Sequence, residues 1–196
     1  MTAAVVLAAG LSRRMGQAKL LLPVRGSTVV WHTVQGVLGA GVKPVVIVTG
    51  REHEAIAQAL VGVPVDIALN DHPEAGQASS IRAGVAALPA GAEAVLIVLG
   101  DQPFLDDRII PALVAARSDT GKPIAAPRYR DGRGNPVLFS RSVFPELLEV
   151  RGDQGARAVV ERDPDRVALV EFDFSMPPDL DTPEDYERLL SQRQTR

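Results

Sequence analysis

Four short apolar runs, each followed by a segment with helical spacing, constrain the fold of this chain more than any other feature. The runs are rich in valine, isoleucine and leucine and too short for typical helices, so they predict buried strands at 3–8, 44–49, 65–69 and 94–99. The intervening segments predict helices at 28–39, 52–61, 79–88 and 106–117, with serine caps on the third. Strand–helix alternation requires right-handed crossovers, which predicts a doubly wound, Rossmann-like α/β fold with a mostly parallel sheet.

The second half of the chain is less regular and adds further strands to a mixed sheet. We predict strands at 122–126, 135–139 and 166–171. The last helix begins with Thr182 as its cap, Pro183 in the first turn and Asp185 completing a capping box. No internal repeat or linker interrupts the sequence, so we expect one domain over 1–196 with a frayed tail at 192–196.

The composition excludes several classes of protein. With 46% hydrophobic residues in a chain of 196, a substantial core is expected, and the net charge of −3 argues against general nucleic-acid binding. The absence of cysteine rules out disulfides, thiolate metal sites and a cysteine nucleophile, and agrees with a reducing cytoplasm. No signal-peptide pattern and no run of roughly 18 apolar residues is present. We expect a soluble cytoplasmic protein without nucleic-acid or membrane partners.

The stretch LAAGLSRRMGQAK, directly after the first predicted strand, carries the first chemical signal. It lacks the G-x-G-x-x-G spacing of a dinucleotide-binding turn, and Gly10 and Gly16 lie one residue too far apart for a Walker loop. Its residues nevertheless suit phosphate. Small residues permit close approach of backbone N–H groups, and Arg13, Arg14 and Lys19 supply cations. The alternative is a solvated basic loop without function.

Two further stretches follow predicted strands. In LGDQP, Asp101 comes directly after the fourth run, where a single carboxylate suits Mg²⁺. Its alternative is an ordinary turn residue. In NDHPEAGQASS, Asn70, Gly76, Gln77 and Ser80 lead into a helix, and amides and hydroxyls there suit a ribose or a base edge. The alternative for this stretch is plain helix capping.

These motifs together resemble those of the molybdenum cofactor nucleotidyltransferases, and more distantly those of sugar-phosphate and isoprenoid-precursor nucleotidyltransferases. The match to the signature L-A-A-G-x-S-x-R-M-G-x-x-K is in register from Leu7 to Lys19. In that family the loop wraps a nucleoside triphosphate, Gly-Asp-Gln-Pro binds the metal, and a Gly-x-x-x-Ser pattern contacts the nucleoside. The later segments 132–139, 152–157 and 179–186 also resemble family segments, in family order.

The resemblance implies a nucleotide-binding half at 1–117 and an acceptor-binding half at 118–191. The implied catalytic residues are Arg14, Lys19 and Asp101, and the implied metal ligands are Asp101 and Asp181. The implied nucleotide-binding residues are Leu7, Ala8, Ala9, Gly10, Ser12, Arg13, Arg14, Gly16, Lys19, Asn70, Gly76, Gln77, Ser80 and Asp101. The implied acceptor-binding residues are Gln102, Pro103, Gly134, Asn135, Pro136, Gly152, Asp153, Gly155 and Arg157.

The implied reaction is transfer of a nucleotidyl group to a substrate phosphate, with release of pyrophosphate. Ala9 stands where the guanylyl-transferring branch usually has glycine, so the resemblance favours CTP and Mg²⁺, with molybdenum-bound molybdopterin as acceptor and the cytosine dinucleotide as product. A molybdenum hydroxylase of the xanthine dehydrogenase type is the implied recipient. The alternatives are a guanylyltransferase using GTP, transfer to another small phosphate such as a sugar phosphate, a non-catalytic insertion chaperone, and a redox dinucleotide-binding protein.

Overall fold

The computed structural model describes residues 1–12 and 14–191, and it confirms the predicted α/β fold with a mostly parallel sheet. The strands are β1 Thr2–Ala8, β2 Pro23–Val24, β3 Ser27–Thr28, β4 Val45–Thr49, β5 Asp66–Leu69, β6 Ala94–Leu99, β7 Ile124–Tyr129, β8 Gly132–Arg133, β9 Val137–Ser140 and β10 Val167–Glu171. The helices are α1 Val29–Gly39, α2 His53–Ala59, α3 Gln77–Ala86, α4 Ile109–Thr120, α5 Phe144–Glu149, α6 Arg157–Arg162 and α7 Pro183–Ser191.

The central sheet has the order β10-β7-β9-β6-β1-β4-β5, with β8 paired to β7. Strands β6, β1, β4 and β5 are parallel neighbours, whereas β9 runs antiparallel to both β6 and β7. The separate β2–β3 hairpin does not join this sheet. Because β9 belongs to the second half of the chain and lies between β6 and β7, both halves contribute to one sheet.

Buried side chains cover both faces of the sheet. Along β1, Ala4 and Val6 point into one core with α1 and α4, while Val5 points into the other core with α3, α5 and α6. This alternation follows from the two-residue repeat of a strand. It explains why β1 and β4 read as continuous apolar runs, since parallel strands covered by helices on both faces have no solvent-exposed side.

Several element boundaries differ from the sequence predictions. Helix α3 begins at Gln77 because Gly76, with φ of +87°, turns the chain there, so Ser79 and Ser80 lie in the first turn and do not cap the helix. Strand β9 begins at Val137, after Pro136, which has no N–H to donate to a ladder. The capping of α7 is confirmed, since the Asp185 N–H donates to Thr182 Oγ1 at 3.2 Å and the Thr182 N–H donates to Asp185 Oδ2 at 2.9 Å.

The prediction of a frayed tail at 192–196 lies outside the described residues. Within the part of the chain that is described, no helix has the length and apolarity needed to cross a membrane.

Candidate active site

The loops that follow β1 and β6 meet because these strands are parallel neighbours whose ends lie in register. Leu7 pairs with Leu99, and the Gly100 N–H donates to the Leu7 carbonyl at 3.0 Å. A Cβ at Gly100 would lie 2.7 Å from that carbonyl oxygen, so only glycine permits this approach. The residues after both strands therefore open onto the same edge of the sheet, where open α/β sheets bind ligands.

The loop after β1 is held by its own turns and by two apolar anchors. The N–H groups of Met15 and Gly16 both donate to the Ser12 carbonyl at 3.2 Å, and Ser12 has a φ of +47°. Met15 and Leu20 are each 6% exposed and pack into the core. With these side chains buried, Arg14 and Lys19 are presented at the sheet edge, while Arg13 lies outside the described residues.

Four charged side chains form a network of ion pairs at this edge of the sheet. Lys19 Nζ donates to Asp101 Oδ2 at 2.5 Å and to Asp181 Oδ1 at 3.0 Å, and Arg14 Nη2 donates to Asp181 Oδ2 at 2.7 Å. Lys19 and Asp101 are largely buried, with side-chain exposures of 12% and 14%, whereas Arg14 is 70% exposed. Asp181 thus pairs with both cations, and Lys19 joins Asp101 to the same network, so four predicted residues lie together.

Burial and charge act in opposite directions on this network. Burial lowers the pKa of Lys19, but the charges and hydrogen bonds of Asp101 and Asp181 together outweigh it, so that pKa lies above its ordinary value of 10.5. Burial raises the pKa of Asp179 above its ordinary 3.8, and the charge of Asp101 raises it further. The lysine therefore remains protonated, and the site contains a fixed cation among carboxylates.

Asp179 is a site residue that sequence reasoning missed. It lines the same cleft as Asp101 and Asp181, and its Oδ1 accepts a hydrogen bond from Gln102 Nε2 at 2.8 Å. Gln102 is 1% exposed and also donates to the Pro177 carbonyl at 3.4 Å. The available signal was the D-L-D pattern at 179–181, in which alternate residues share one side of an extended segment.

The opposite wall is formed by the start of α3 and the loop at 152–155. A Cβ at Gly76 would lie 2.5 Å from Asp153 Oδ1, a Cβ at Gly155 would clash with the Gln77 side chain, and the Ala78 N–H donates to the Gly152 carbonyl at 3.0 Å. The start of α3, which is predicted to bind the nucleotide, is therefore in direct contact with the loop at 152–155, which is predicted to bind the acceptor.

Between these walls lies a cleft of about 470 Å³. Its lining includes twelve of the predicted residues, namely Leu7, Ala9, Gly10, Ser12, Arg14, Lys19, Gly76, Gln77, Ser80, Asp101, Asp153 and Asp181. It also includes six residues that the sequence did not indicate, Leu11, Leu20, Pro73, Glu74, Leu99 and Asp179. Apart from Asp179, these carry no motif signal, since apolar and turn residues at strand ends are common.

The other predicted residues lie behind the cleft or away from it. Ala8 and Gly152 adjoin lining residues in the chain, and Asn70 lies behind Ser80. Gly16 borders a neighbouring cavity of about 290 Å³, and Gly155 packs against Gln77. Gln102 and Pro103 border a second cavity of about 300 Å³, and Gly134 packs against Met176 in its wall. The Asn135 carbonyl, next to Pro136, accepts from the Tyr129 hydroxyl at 2.7 Å, and the 77%-exposed Arg157 pairs with Glu161 at 2.8 Å.

The donor set fits a hard divalent cation. Among residues 1–12 and 14–191, no group of three or more histidine, aspartate or glutamate side chains is arranged around a metal position. Asp101 and Asp181, however, converge on one cationic nitrogen. Mg²⁺ is typically held by one or two carboxylates, with substrate phosphates and waters as its other ligands. Asp101 and Asp181 are the residues that would hold it.

A doubly wound sheet with a cationic glycine loop and carboxylates at its strand ends defines a nucleotide-binding α/β protein. Comparison with known protein families identifies the class. The sequence model of one family, the MobA-like NTP transferase domain, matches residues 4–167 of this chain. The chain therefore belongs to the MobA-like NTP transferase family.

Relatives match along nearly the whole chain. The purine catabolism protein PucB of Bacillus subtilis (strain 168) is 31% identical, with 93% of each chain covered. The nicotine blue oxidoreductase of Paenarthrobacter nicotinovorans is 34% identical, with 95% of each covered.

Solved structures agree with the fold. Rv0371C of Mycobacterium tuberculosis H37Rv, in complex with manganese, is 33% identical with a TM-score of 0.80, covering 98% of this chain and 99% of that one. A nucleotidyl transferase of Methanothermobacter thermautotrophicus is 29% identical with a TM-score of 0.78, covering 96% and 95%.

Proposed function

We propose that this chain transfers CMP from CTP to the terminal phosphate of molybdenum-bound molybdopterin, giving molybdopterin cytosine dinucleotide and pyrophosphate. The observation that carries the proposal is the network of Arg14, Lys19, Asp101 and Asp181 at the edge of a cleft bounded by both halves of the chain. Nucleotidyl transfer needs positioning and neutralisation of charge more than a nucleophilic side chain. The network supplies both.

In the proposed reaction, an oxygen of the acceptor phosphate attacks the α-phosphorus and the bond from that phosphorus to the β-phosphate oxygen breaks. Pyrophosphate leaves with the electron pair of this bond. Lys19 and Arg14 bind the β- and γ-phosphates and stabilise the negative charge that develops on the leaving group. To do so, both cations exchange carboxylate partners for phosphate oxygens. Asp101 and Asp181 would hold a magnesium ion, which would supply neutralisation of charge at the reacting α-phosphate.

The assignment of the two substrates to segments around the cleft follows the same proposal. The β1 loop and the start of α3 hold the nucleotide, with Ala9 favouring cytosine over guanine. The segments at 102–103, 134–136 and 152–157 bind the acceptor. A molybdenum hydroxylase of the xanthine dehydrogenase type receives the product, and the reaction takes place in the cytoplasm.

The test is pyrophosphate release from each of the four nucleoside triphosphates, with Mg²⁺ and isolated molybdenum-bound molybdopterin. We expect release with CTP. Release with GTP and not CTP would show a guanylyltransferase. Release that begins only when a sugar phosphate is supplied in place of molybdopterin would show a different acceptor.

A variant pair separates catalysis from a chaperone role. Asp101→Ala should abolish turnover with the fold intact, whereas Asp119→Ala, on the exposed face of α4, should retain it. Full turnover of the Asp101 variant in Mg²⁺ would contradict the metal assignment.

A second candidate is an oxidoreductase, favoured by one observation, the relative named nicotine blue oxidoreductase. The glycine spacing after β1 disfavours a dinucleotide-binding turn. Incubating the chain with nicotine blue and NADH or NADPH tests this candidate directly. Nicotinamide oxidation that depends on the chain would establish it, and we expect none.

A further inference from the structure

A buried hydrogen-bond network lies behind one wall of the cleft. Asn70, Ser79 and Ser80 are each 6% exposed or less. Asn70 Nδ2 donates to Ser79 Oγ at 2.8 Å and to Ser80 Oγ at 3.0 Å. Ser80 lines the cleft, whereas Asn70 and Ser79 do not. The Asn70 side chain therefore does not line the cleft and can influence a bound ligand only through its hydrogen bond to Ser80.

The orientation of the Asn70 amide is determined by a backbone group. The N–H of His72 donates to Asn70 Oδ1 at 3.0 Å. A backbone N–H cannot accept a hydrogen bond, so the atom that faces it must be the amide oxygen. Both amide N–H groups then face the two serines, and both serine oxygens act as acceptors.

The two serine hydroxyls differ in where their protons go. The Ser79 hydroxyl donates within the protein, with the carbonyls of His72 at 2.9 Å and Gly76 at 2.8 Å. The Ser80 hydroxyl accepts from Asn70, and its own proton meets no acceptor in the described part of the chain. A hydroxyl has one proton to donate, and leaving a buried donor unpaired is unfavourable. This proton is directed to whatever occupies the cleft.

We propose that Asn70 is a positioning residue that orients the Ser80 hydroxyl so that its proton is donated into the cleft. The ligand atom that meets Ser80 is then an acceptor oxygen of the nucleoside, either a pyrimidine carbonyl or a ribose oxygen. An imino or amino N–H at that point is disfavoured, because it could use only the second lone pair of the hydroxyl oxygen and would leave the buried Ser80 proton unpaired. This inference rests on the proposed function, since it assumes that the cleft binds a nucleotide, and it adds how the cleft selects one.

The first arm of the test measures CTP affinity by titration calorimetry, in Mg²⁺, on the full chain. Ser80→Ala removes the donor and should weaken CTP binding about tenfold. Ser79→Ala is the matched control, since its proton is used within the protein, and should leave the affinity nearly unchanged. Equal CTP affinity of wild type and Ser80→Ala would overturn the inference.

The second arm tests the positioning role. Asn70→Asp keeps the shape and the acceptor for the His72 N–H, but its second oxygen can accept the Ser80 proton and withdraw it from the cleft. It should therefore weaken CTP binding as much as Ser80→Ala does. In the Ser80→Ala background the same change should cause no further loss. An equal loss in both backgrounds would show that the new charge or a structural change is responsible, and would refute the positioning role. Melting temperatures confirm that each variant folds.

The third arm identifies the ligand oxygen with 2′-deoxy-CTP and 3′-deoxy-CTP. If one analogue erases the difference between wild type and Ser80→Ala, the acceptor is that ribose oxygen. If the difference persists with both, the acceptor is the base carbonyl. A wild-type chain that binds no nucleoside triphosphate refutes the proposed function and this inference with it. A chain that binds CTP without regard to Ser80 refutes this inference alone.

Discussion

Replacing Lys19 with methionine tests the charge network most directly. The change removes the ammonium group and keeps a side chain of similar length and apolar character. In the wild-type chain this ammonium lies 2.5 Å from Asp101 and 3.0 Å from Asp181. Without it, two carboxylates face each other across a partly buried gap with Asp179 nearby, so the variant should be less stable.

The magnitude follows from how far the network is buried. Removing one partner of a fully buried pair costs about 3–5 kcal/mol, whereas exposed pairs contribute about 1 kcal/mol or less. Asp101 and Asp181 are 14% and 29% exposed, between these limits. We therefore expect a loss of about 2 kcal/mol, which for a chain of this size lowers Tm by about 4–8 °C.

The assay is thermal unfolding of wild type and Lys19→Met, first in EDTA and then with excess Mg²⁺. Because a divalent cation can replace the missing ammonium, Mg²⁺ should raise the Tm of the variant more than that of wild type. Turnover should remain low, since the leaving pyrophosphate loses a cation worth about 10²–10³ in kcat. Lys43→Met, at an exposed lysine, is the control and should change neither quantity.

Two results would refute this reasoning. If Lys19→Met and wild type melt at the same temperature in EDTA, the ion pairs do not stabilise the fold. If Mg²⁺ shifts both proteins equally, the cation does not bind between Asp101 and Asp181.

Three further predictions concern other parts of the chain. Gly84→Ala should destabilise by about 1 kcal/mol in urea unfolding, because its methyl group would clash with a core valine of β1 and this outweighs the gain in helix propensity. Glu146→Gln should lower Tm at neutral pH, because hydrogen bonds from Arg166 lower the pKa of Glu146 and its ionised form stabilises the fold. This contribution begins to be lost as pH falls below the ordinary 4.5 and is gone below the lowered pKa, where variant and wild type should converge in Tm. Gly76→Ala should cost about 1–3 kcal/mol of stability and weaken CTP binding, because the φ of Gly76 is +87° and a Cβ there would lie 2.5 Å from Asp153. An unchanged CTP affinity in calorimetry would show that this turn does not take part in nucleotide binding.

The β1 loop shows what local sequence can predict. Its small residues, its two arginines and Lys19 lie within a short stretch, and the preceding apolar run places them at a strand end. A local pattern was therefore enough to predict them as a group, and Gly10, Ser12, Arg14 and Lys19 all line one cleft.

Asp179 and the short helices show where local reasoning fails. The partner of Asp179 is Gln102, 77 residues earlier, and nothing near either residue indicates the other. Helices α5 and α6 have only six residues each, too few for an apolar periodicity to stand out. Helix α3 begins two residues before the predicted start, because the chain turns at Gly76, which packs against the loop at 152–155.

The sequence by itself determined the class of fold and the clustering of glycine and basic residues after the first strand, because both depend on short-range patterns. Tertiary structure decided which carboxylates those cations meet and which serine of α3 lines the cleft. Lys19 and Asp181 are 162 residues apart, and the Asn70 amide that donates to Ser80 is oriented by the backbone of His72. Such contacts arise only when the parallel strands align their ends and the C-terminal segment folds back over them.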